Sequence, residues 1–250
     1  MTSTHEIPSL ALVTGASRGF GRAIAAALHA GGAEVVAVAR SAEPLAELRR
    51  ELGDRLTPVV ADAADPVVAG TLIDRYQPRT LVLNAGAEPL LRPLHHHTWE
   101  TFSRNWDVDV QHVFNWTREA LLLPLQQGST VIAISSGAAV NGSPLSGGYA
   151  GAKATIRFIA SYAADESARN ALGIKFTSVL PQLTPETELG AAGVAAYAAR
   201  QGVGIPAFLD RLGPALTPEQ VGTAIVDIVT GSADDRDAYL LTATGLRPVQ

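Results

Sequence analysis

Leu10-Ala11-Leu12-Val13-Thr14-Gly15-Ala16-Ser17-Arg18-Gly19-Phe20-Gly21 reads as a buried strand, a tight glycine turn and the first turn of a helix. Without a Cβ at Gly15, Gly19 and Gly21 the backbone can turn sharply and a diphosphate can approach closely. The free N–H groups and positive dipole end of the helix then face the anion. Three glycines alone are a weak signal. Their place at the first strand–helix junction of a βαβ series makes Gly15, Ser17, Arg18, Gly19, Phe20 and Gly21 candidate contacts for a dinucleotide.

Outward from this turn, short Val- and Ile-rich runs alternate with helical segments. The expected strands are 10–14, 34–39, 56–61, 80–84, 130–135, 174–180 and 238–242. They are continuously apolar rather than alternating, as strands covered on both faces are. Helices are expected over 19–30, 44–52, 66–76, 101–125, 149–171 and 218–229. Such alternation implies right-handed βαβ units and an α/β, doubly wound, mostly parallel sheet. One domain over 1–250 is expected. Residues 181–218, with Pro181, Pro185, Pro206, Pro214 and Pro218, break the rhythm at the carboxyl end of the sheet, where open α/β folds bind ligands. A surface hairpin and a substrate-covering flap are both open readings; the flap is expected. Its Tyr197 and Phe208 point to an apolar lid and a moderately apolar substrate.

The 250 residues carry a formal net charge of −5, against a basic nucleic-acid surface. With no cysteine, disulfides, thiolate catalysis and cysteine-held metals are excluded. Residues 1–8 lack a secretory pattern, and no apolar run is long enough to span a membrane, so a cytoplasmic location is the default expectation.

The end of the second strand chooses the dinucleotide. A carboxylate there would accept from a free ribose and repel a 2′-phosphate. Here Val38-Ala39-Arg40-Ser41 has no acid, and Arg18 adds a second cation, so NADP(H) is expected. Asp62 ends the third strand, beside Ala63, and can accept from the adenine amino group. Asn84-Ala85-Gly86 closes the fourth, where small residues let the chain pass under the cofactor.

Tyr149 and Lys153 lie one turn apart on one helix face. Free tyrosine, with a pKa of about 10, is a poor base at neutral pH; a nearby ammonium and an oxidised nicotinamide both favour phenolate. Ser136 follows an apolar strand and can reach the same substrate oxygen. The hydride belongs to the cofactor, so the protein supplies orientation and proton transfer.

Thr14-Gly-x-x-x-Gly-x-Gly21, Asp62, Asn84-Ala85-Gly86, Ser136 and Tyr149-x-x-x-Lys153 together resemble the short-chain dehydrogenase/reductase family over about the first 180 residues. The resemblance implies a seven-stranded doubly wound sheet and a carbonyl-reductase type of chemistry. Ser136 would polarise the carbonyl, Tyr149 exchange the proton, and Lys153 hold the nicotinamide ribose and acidify the tyrosine. Arg18 and Arg40 match NADP(H)-preferring members. Homodimers or homotetramers built through the two long helices are implied too. Two positions depart. Asp109 stands where the family commonly has an asparagine holding a water in a proton relay; a carboxylate accepts from that water but does not donate as an amide does. After Pro181 the family's glycine is Gln182, and Thr184 is the candidate for the threonine near the nicotinamide.

His95-His96-His97 is read as a polar loop bordering the pocket, because consecutive imidazoles diverge and no carboxylate cluster accompanies them; no metal is expected. Trp99, Trp106 and Trp116 are read as packing. A catalytically silent NADP(H)-binding sensor or scaffold is the rival from another class. A longer nucleotide-sugar dehydratase or epimerase fits neither the length nor the glycine spacing.

Overall fold

A computed structural model describes residues 10–249. Residues 1–8, on which the reading of the N-terminus rests, lie outside the described residues. The central strands are β1 (Leu10–Thr14), β2 (Glu34–Ala39), β3 (Leu56–Val60), β4 (Thr80–Leu83), β5 (Thr130–Ile134), β6 (Lys175–Pro181) and β7 (Ala238–Thr242). An eighth, β8 (Gly245–Pro248), completes the order β3-β2-β1-β4-β5-β6-β7-β8. All neighbours run parallel except β7 and β8.

The expectation of seven strands is thus corrected to eight. Thr242 pairs with Gly245 across a two-residue turn, Ala243-Thr244, and Gly245 takes φ +107°. β8 is short and ends in exposed residues, so it has little apolar pattern to announce it.

The helices are α1 (Gly19–Ala30), α2 (Ala42–Leu52), α3 (Pro66–Tyr76), α4 (Trp99–Asn105), α5 (Gln111–Leu122), α6 (Ala138–Asn141), α7 (Tyr149–Arg169), α8 (Glu188–Arg200), α9 (Ile205–Leu212) and α10 (Pro218–Val229). The sheet separates two apolar layers. Ala11 and Val13 of β1 face a core shared with α1, α2 and α10, while Leu12 faces the core under α3, α5 and α7. The strands that read as continuously apolar therefore still alternate in direction, with both faces buried. The result is a single Rossmann-like α/β domain.

The helix expected over 101–125 is broken. α4 begins with a capping box between Thr98 and Thr101, a π-helical turn covers Trp106–Val110, and α5 stops before Pro124. A π turn shifts side chains relative to an α-helix and is frequent at functional sites. Here it delivers Asp109 into the protein, fully buried. The tryptophans also separate: Trp116 is fully buried, whereas Trp99 is 77% exposed and its packing is a surface stack on Phe102. Trp106 is partly exposed and lies over Gly151. No helix of the described residues is long and apolar enough to cross a membrane.

The 181–218 insertion folds as α8 and α9 around a small cluster of Val194, Ala198 and Phe208. Tyr197 stacks on Phe208, with ring centroids 6.4 Å apart. The connections from β1 lead one way to β2 and β3 and the other way to β4, which opens a crevice at the carboxyl ends of β1 and β4.

Candidate active site

Gly15 adopts φ +66°, which costs a residue with a Cβ, and a Cβ there would stand 2.8 Å from the Asn84 amide nitrogen. Gly21 lies directly against the Gly15 carbonyl, so a side chain at 21 has no room. Asn84 holds the turn in this shape: its Nδ2 donates to the Thr14 carbonyl at 3.2 Å and to that of Gly15 at 3.3 Å. The Thr14 hydroxyl accepts from the N–H groups of Asn84, at 2.9 Å, and Ala85, at 3.2 Å. The same hydroxyl also lies 3.3 Å from the Val82 carbonyl, to which it can donate, and 3.1 Å from His112 Nε2. Burial, followed by the Lys153 charge, pushes the His112 pKa down to about 3, so this imidazole is neutral.

The N-terminus of α1 suits an anion. Arg18 stands at its cap without a side-chain hydrogen bond to the helix, and no acid occupies the first turn. A dinucleotide diphosphate fits there. The Arg18 guanidinium pairs with Glu88 at 2.7 Å and with Glu188; the bond to Glu88 outweighs partial burial and, with Glu188, raises the arginine pKa. Arg40 is exposed at the tip of β2. Ser17 lies half-buried in the turn, whereas Phe20 packs its ring on the core.

Asp62 Oδ1 accepts from Ala64 N–H at 3.0 Å, and Asp65, one turn on, caps α3. Ala63 is buried, its carbonyl accepting from Trp116 Nε1 at 2.8 Å. The Thr184 hydroxyl donates to the Leu216 carbonyl at 2.7 Å and accepts from Glu186 N–H. Thr187 caps α8, with its methyl 3.7 Å from where a Gly19 Cβ would be. It therefore borders the glycine turn more directly than the sequence suggested for Thr184.

Tyr149 is the first residue of α7. The loop before it is fixed by Gly148 N–H donating to the Phe102 carbonyl at 3.2 Å and Arg92 N–H to that of Leu145 at 2.7 Å. His97 fills the space beside Gly147, so part of the His95–His97 loop does border the segment leading to Tyr149. Among the described residues no group of three His, Asp or Glu side chains is arranged to hold a metal.

Lys153 points inward from the same turn and is 6% exposed. Its Nζ lies 5.5 Å from the Tyr149 ring centroid, donates to the Ile134 carbonyl at 3.2 Å and stands 3.2 Å from Asp109 Oδ2. Burial disfavours the ammonium, but Asp109 and then Tyr149 outweigh it and hold its pKa above the ordinary lysine value. Asp109 Oδ1 accepts from Ala87 N–H at 2.7 Å. Asn105 Nδ2 donates to the Ala87 carbonyl at 2.8 Å. Ser136 follows Ile134 by two residues, and its hydroxyl oxygen accepts from Ala138 N–H at 3.2 Å.

Lys153 thus meets both Asp109 and the Tyr149 ring, Asp109 lies against Gly86, and Asn84 joins that segment to the glycine turn; Ser136 follows the strand whose Ile134 carbonyl accepts from Lys153. His112, Asn105 and Thr187 were not singled out from the sequence. A histidine one turn beyond Asp109 on an otherwise apolar helix face was the available signal for His112.

The short chain dehydrogenase family model matches residues 9–197. The chain belongs to the short-chain dehydrogenase family. Among its relatives in that family, carbonyl reductase [NADPH] 2 of Sus scrofa is 33% identical over 128 residues, which is 50% of this chain and 52% of that protein. L-xylulose reductase of Homo sapiens is 39% identical over 102 residues, 41% of each chain. These matches span about half the length of the relatives or less. An uncharacterized oxidoreductase of Staphylococcus epidermidis is 30% identical over 189 residues, 72% of this chain and 80% of that one. In fold, a 3-ketoacyl-(acyl-carrier-protein) reductase from Brucella melitensis, solved with NADH, superposes with a TM-score of 0.77 at 22% identity, covering 94% of this chain and 97% of that one.

Proposed function

We propose that this member of the short-chain dehydrogenase family is an NADP(H)-dependent carbonyl reductase acting on a moderately apolar ketone or aldehyde, or on the secondary alcohol in reverse. The observation that carries the reading is the Lys153 ammonium 5.5 Å from the Tyr149 ring, at the same crevice as the glycine turn. The nicotinamide, when bound, supplies or takes the hydride. Gly15, Ser17, Gly19 and Gly21 would cradle its diphosphate, Asp62 and Ala63 would meet the adenine, and Asn84–Gly86 would lie under the ring end. Thr184 is retained only as a backbone contact, and Thr187 joins the candidates.

In reduction the Tyr149 hydroxyl gives its proton to the substrate oxygen as carbon gains the hydride. The Ser136 oxygen already accepts from Ala138, which leaves its own proton free to hydrogen-bond that substrate oxygen. Lys153 favours the negative charge that Tyr149 acquires. Arg18 and Arg40, without an acid at the tip of β2, support a 2′-phosphate and hence NADP(H). The whole chain acts as one catalytic domain, with 181–218 covering the substrate. Support for the cover comes from the hydrogen bond between Tyr197 of α8 and Ser143 of the loop ahead of Tyr149. A homodimer through α5 and α7 is part of the proposal, favoured by exposed Phe114 and by Phe158 stacked on Tyr162.

The test is NADPH oxidation followed by absorbance over a panel of ketones and aldehydes, with wild type beside Tyr149→Phe. Turnover should fall by about 10²–10⁴-fold in the variant while NADPH still binds. Turnover that survives the substitution refutes the mechanism, and binding without turnover on every compound favours a silent NADP(H)-binding protein.

A further inference from the structure

Asp109 and Lys153 form a buried ion pair with side-chain exposures of 1% and 7%. The carboxylate is not free to move. Its other oxygen is held by Ala87 N–H at 2.7 Å, and a Cβ on Gly86 would stand 2.9 Å from Oδ2. The chain has therefore kept space for a charged group in contact with the ammonium that faces Tyr149.

The titratable groups facing this pair come from several elements. Tyr149 shares α7 with Lys153, Asp109 comes from the π-helical turn, His112 from α5, and His97 approaches Gly147 from the loop after β4. His112 is neutral, and β5 presents only the Ile134 carbonyl to the ammonium. Beside an unpaired ammonium, ionising the half-buried Tyr149 phenol would turn a charged site into a neutral one. Beside an ammonium already matched by a buried carboxylate, it leaves a net negative charge next to that pair, which is disfavoured.

We propose that Asp109 is a positioning residue that sets the pH window of the reaction: it anchors Lys153 and cancels part of the positive charge that Tyr149 would otherwise meet. The phenol form thereby persists to higher pH than an unpaired lysine would allow. This rests on the reading of Tyr149 as the proton-exchanging group.

The test is Asp109→Asn. Asparagine keeps the shape and an oxygen for Ala87 N–H while removing the charge. Carbonyl reduction requires the phenol and falls as pH rises through an inflection. Alcohol oxidation requires the phenolate and rises through it. In Asp109→Asn both inflections should move to lower pH by about one unit, as expected for loss of a nearby charge at an effective dielectric of roughly 20. Superimposable profiles, even with a lower plateau, would show a purely structural role and overturn the proposal. A second readout needs no turnover: tyrosinate absorbance against pH with NADP⁺ bound, with and without Tyr149→Phe, in each background. A shifted Tyr149 contribution with no turnover on any carbonyl would uphold the charge effect and sink the proposed activity instead. If Asp109→Asn does not fold, Asp109→Ser makes the same charge change in a smaller side chain and is judged by the same shift.

Discussion

The hydroxyl of Ser135 donates to the Lys153 carbonyl at 2.7 Å, with both residues buried. One bond therefore joins the end of β5, next to Ser136, to the helical turn that bears Tyr149. Ser135→Ala should cost about 1 kcal/mol of stability, read from the urea midpoint at constant slope. It should lower carbonyl reduction far less than Tyr149→Phe does.

His112 gives stability a pH dependence of known sign. Its pKa is pushed from 6.5 to about 3 in the folded chain, so between those values the unfolded chain binds more protons. Its contribution is complete above pH 6.5 and is lost as pH falls toward 3, on the order of 1 kcal/mol per pH unit. Urea melts between pH 7 and 4.5 should show this slope, and His112→Gln should flatten it. Equal slopes in the two proteins would place the acid sensitivity elsewhere.

Arg18 is engaged by Glu88 and Glu188, so a 2′-phosphate that recruits it competes with both carboxylates for its donors. Exposed pairs are weak, each worth roughly 0–1 kcal/mol. Glu88→Gln with Glu188→Gln is therefore expected to tighten NADPH several-fold and NADH little, measured by fluorescence titration. Arg18→Ala should weaken NADPH more than NADH. Equal effects on both dinucleotides would remove Arg18 from phosphate recognition.

Trp116 is fully buried beneath the sheet and hydrogen-bonded to Ala63, so Trp116→Ala should cost about 3–5 kcal/mol. Trp116→Phe keeps most of the packing and loses the donor to Ala63, so a smaller loss of about 1–2 kcal/mol is expected. Denaturant unfolding of the two variants separates packing from the hydrogen bond.

The order of strands and helices was legible because each strand is an apolar run bounded by turn residues and each helix is long. What escaped was short or context-made. β8 has no apolar stripe, and the break at Trp106–Val110 carries no proline or glycine to mark it. The strand ends and the helical turn that carry the candidate site residues were readable from spacing. Their partners were not. That Asp109 meets Lys153 depends on a π turn and on the approach of two elements distant in sequence, and the hydrogen bond from Thr184 to the Leu216 carbonyl joins residues 32 apart. Arg18 reads as a phosphate ligand from its place in the glycine turn, while its two acidic neighbours, Glu88 in the loop after β4 and Glu188 at the start of α8, are brought near only by the fold.

One helix touches both halves of the crevice. The first turn of α8 is capped by Thr187, against Gly19, and two turns further on Tyr197 holds Ser143. A displacement of α8 at the glycine turn is therefore carried to the chain that precedes Tyr149, and a graft of a different 181–218 segment is expected to disturb both contacts at once.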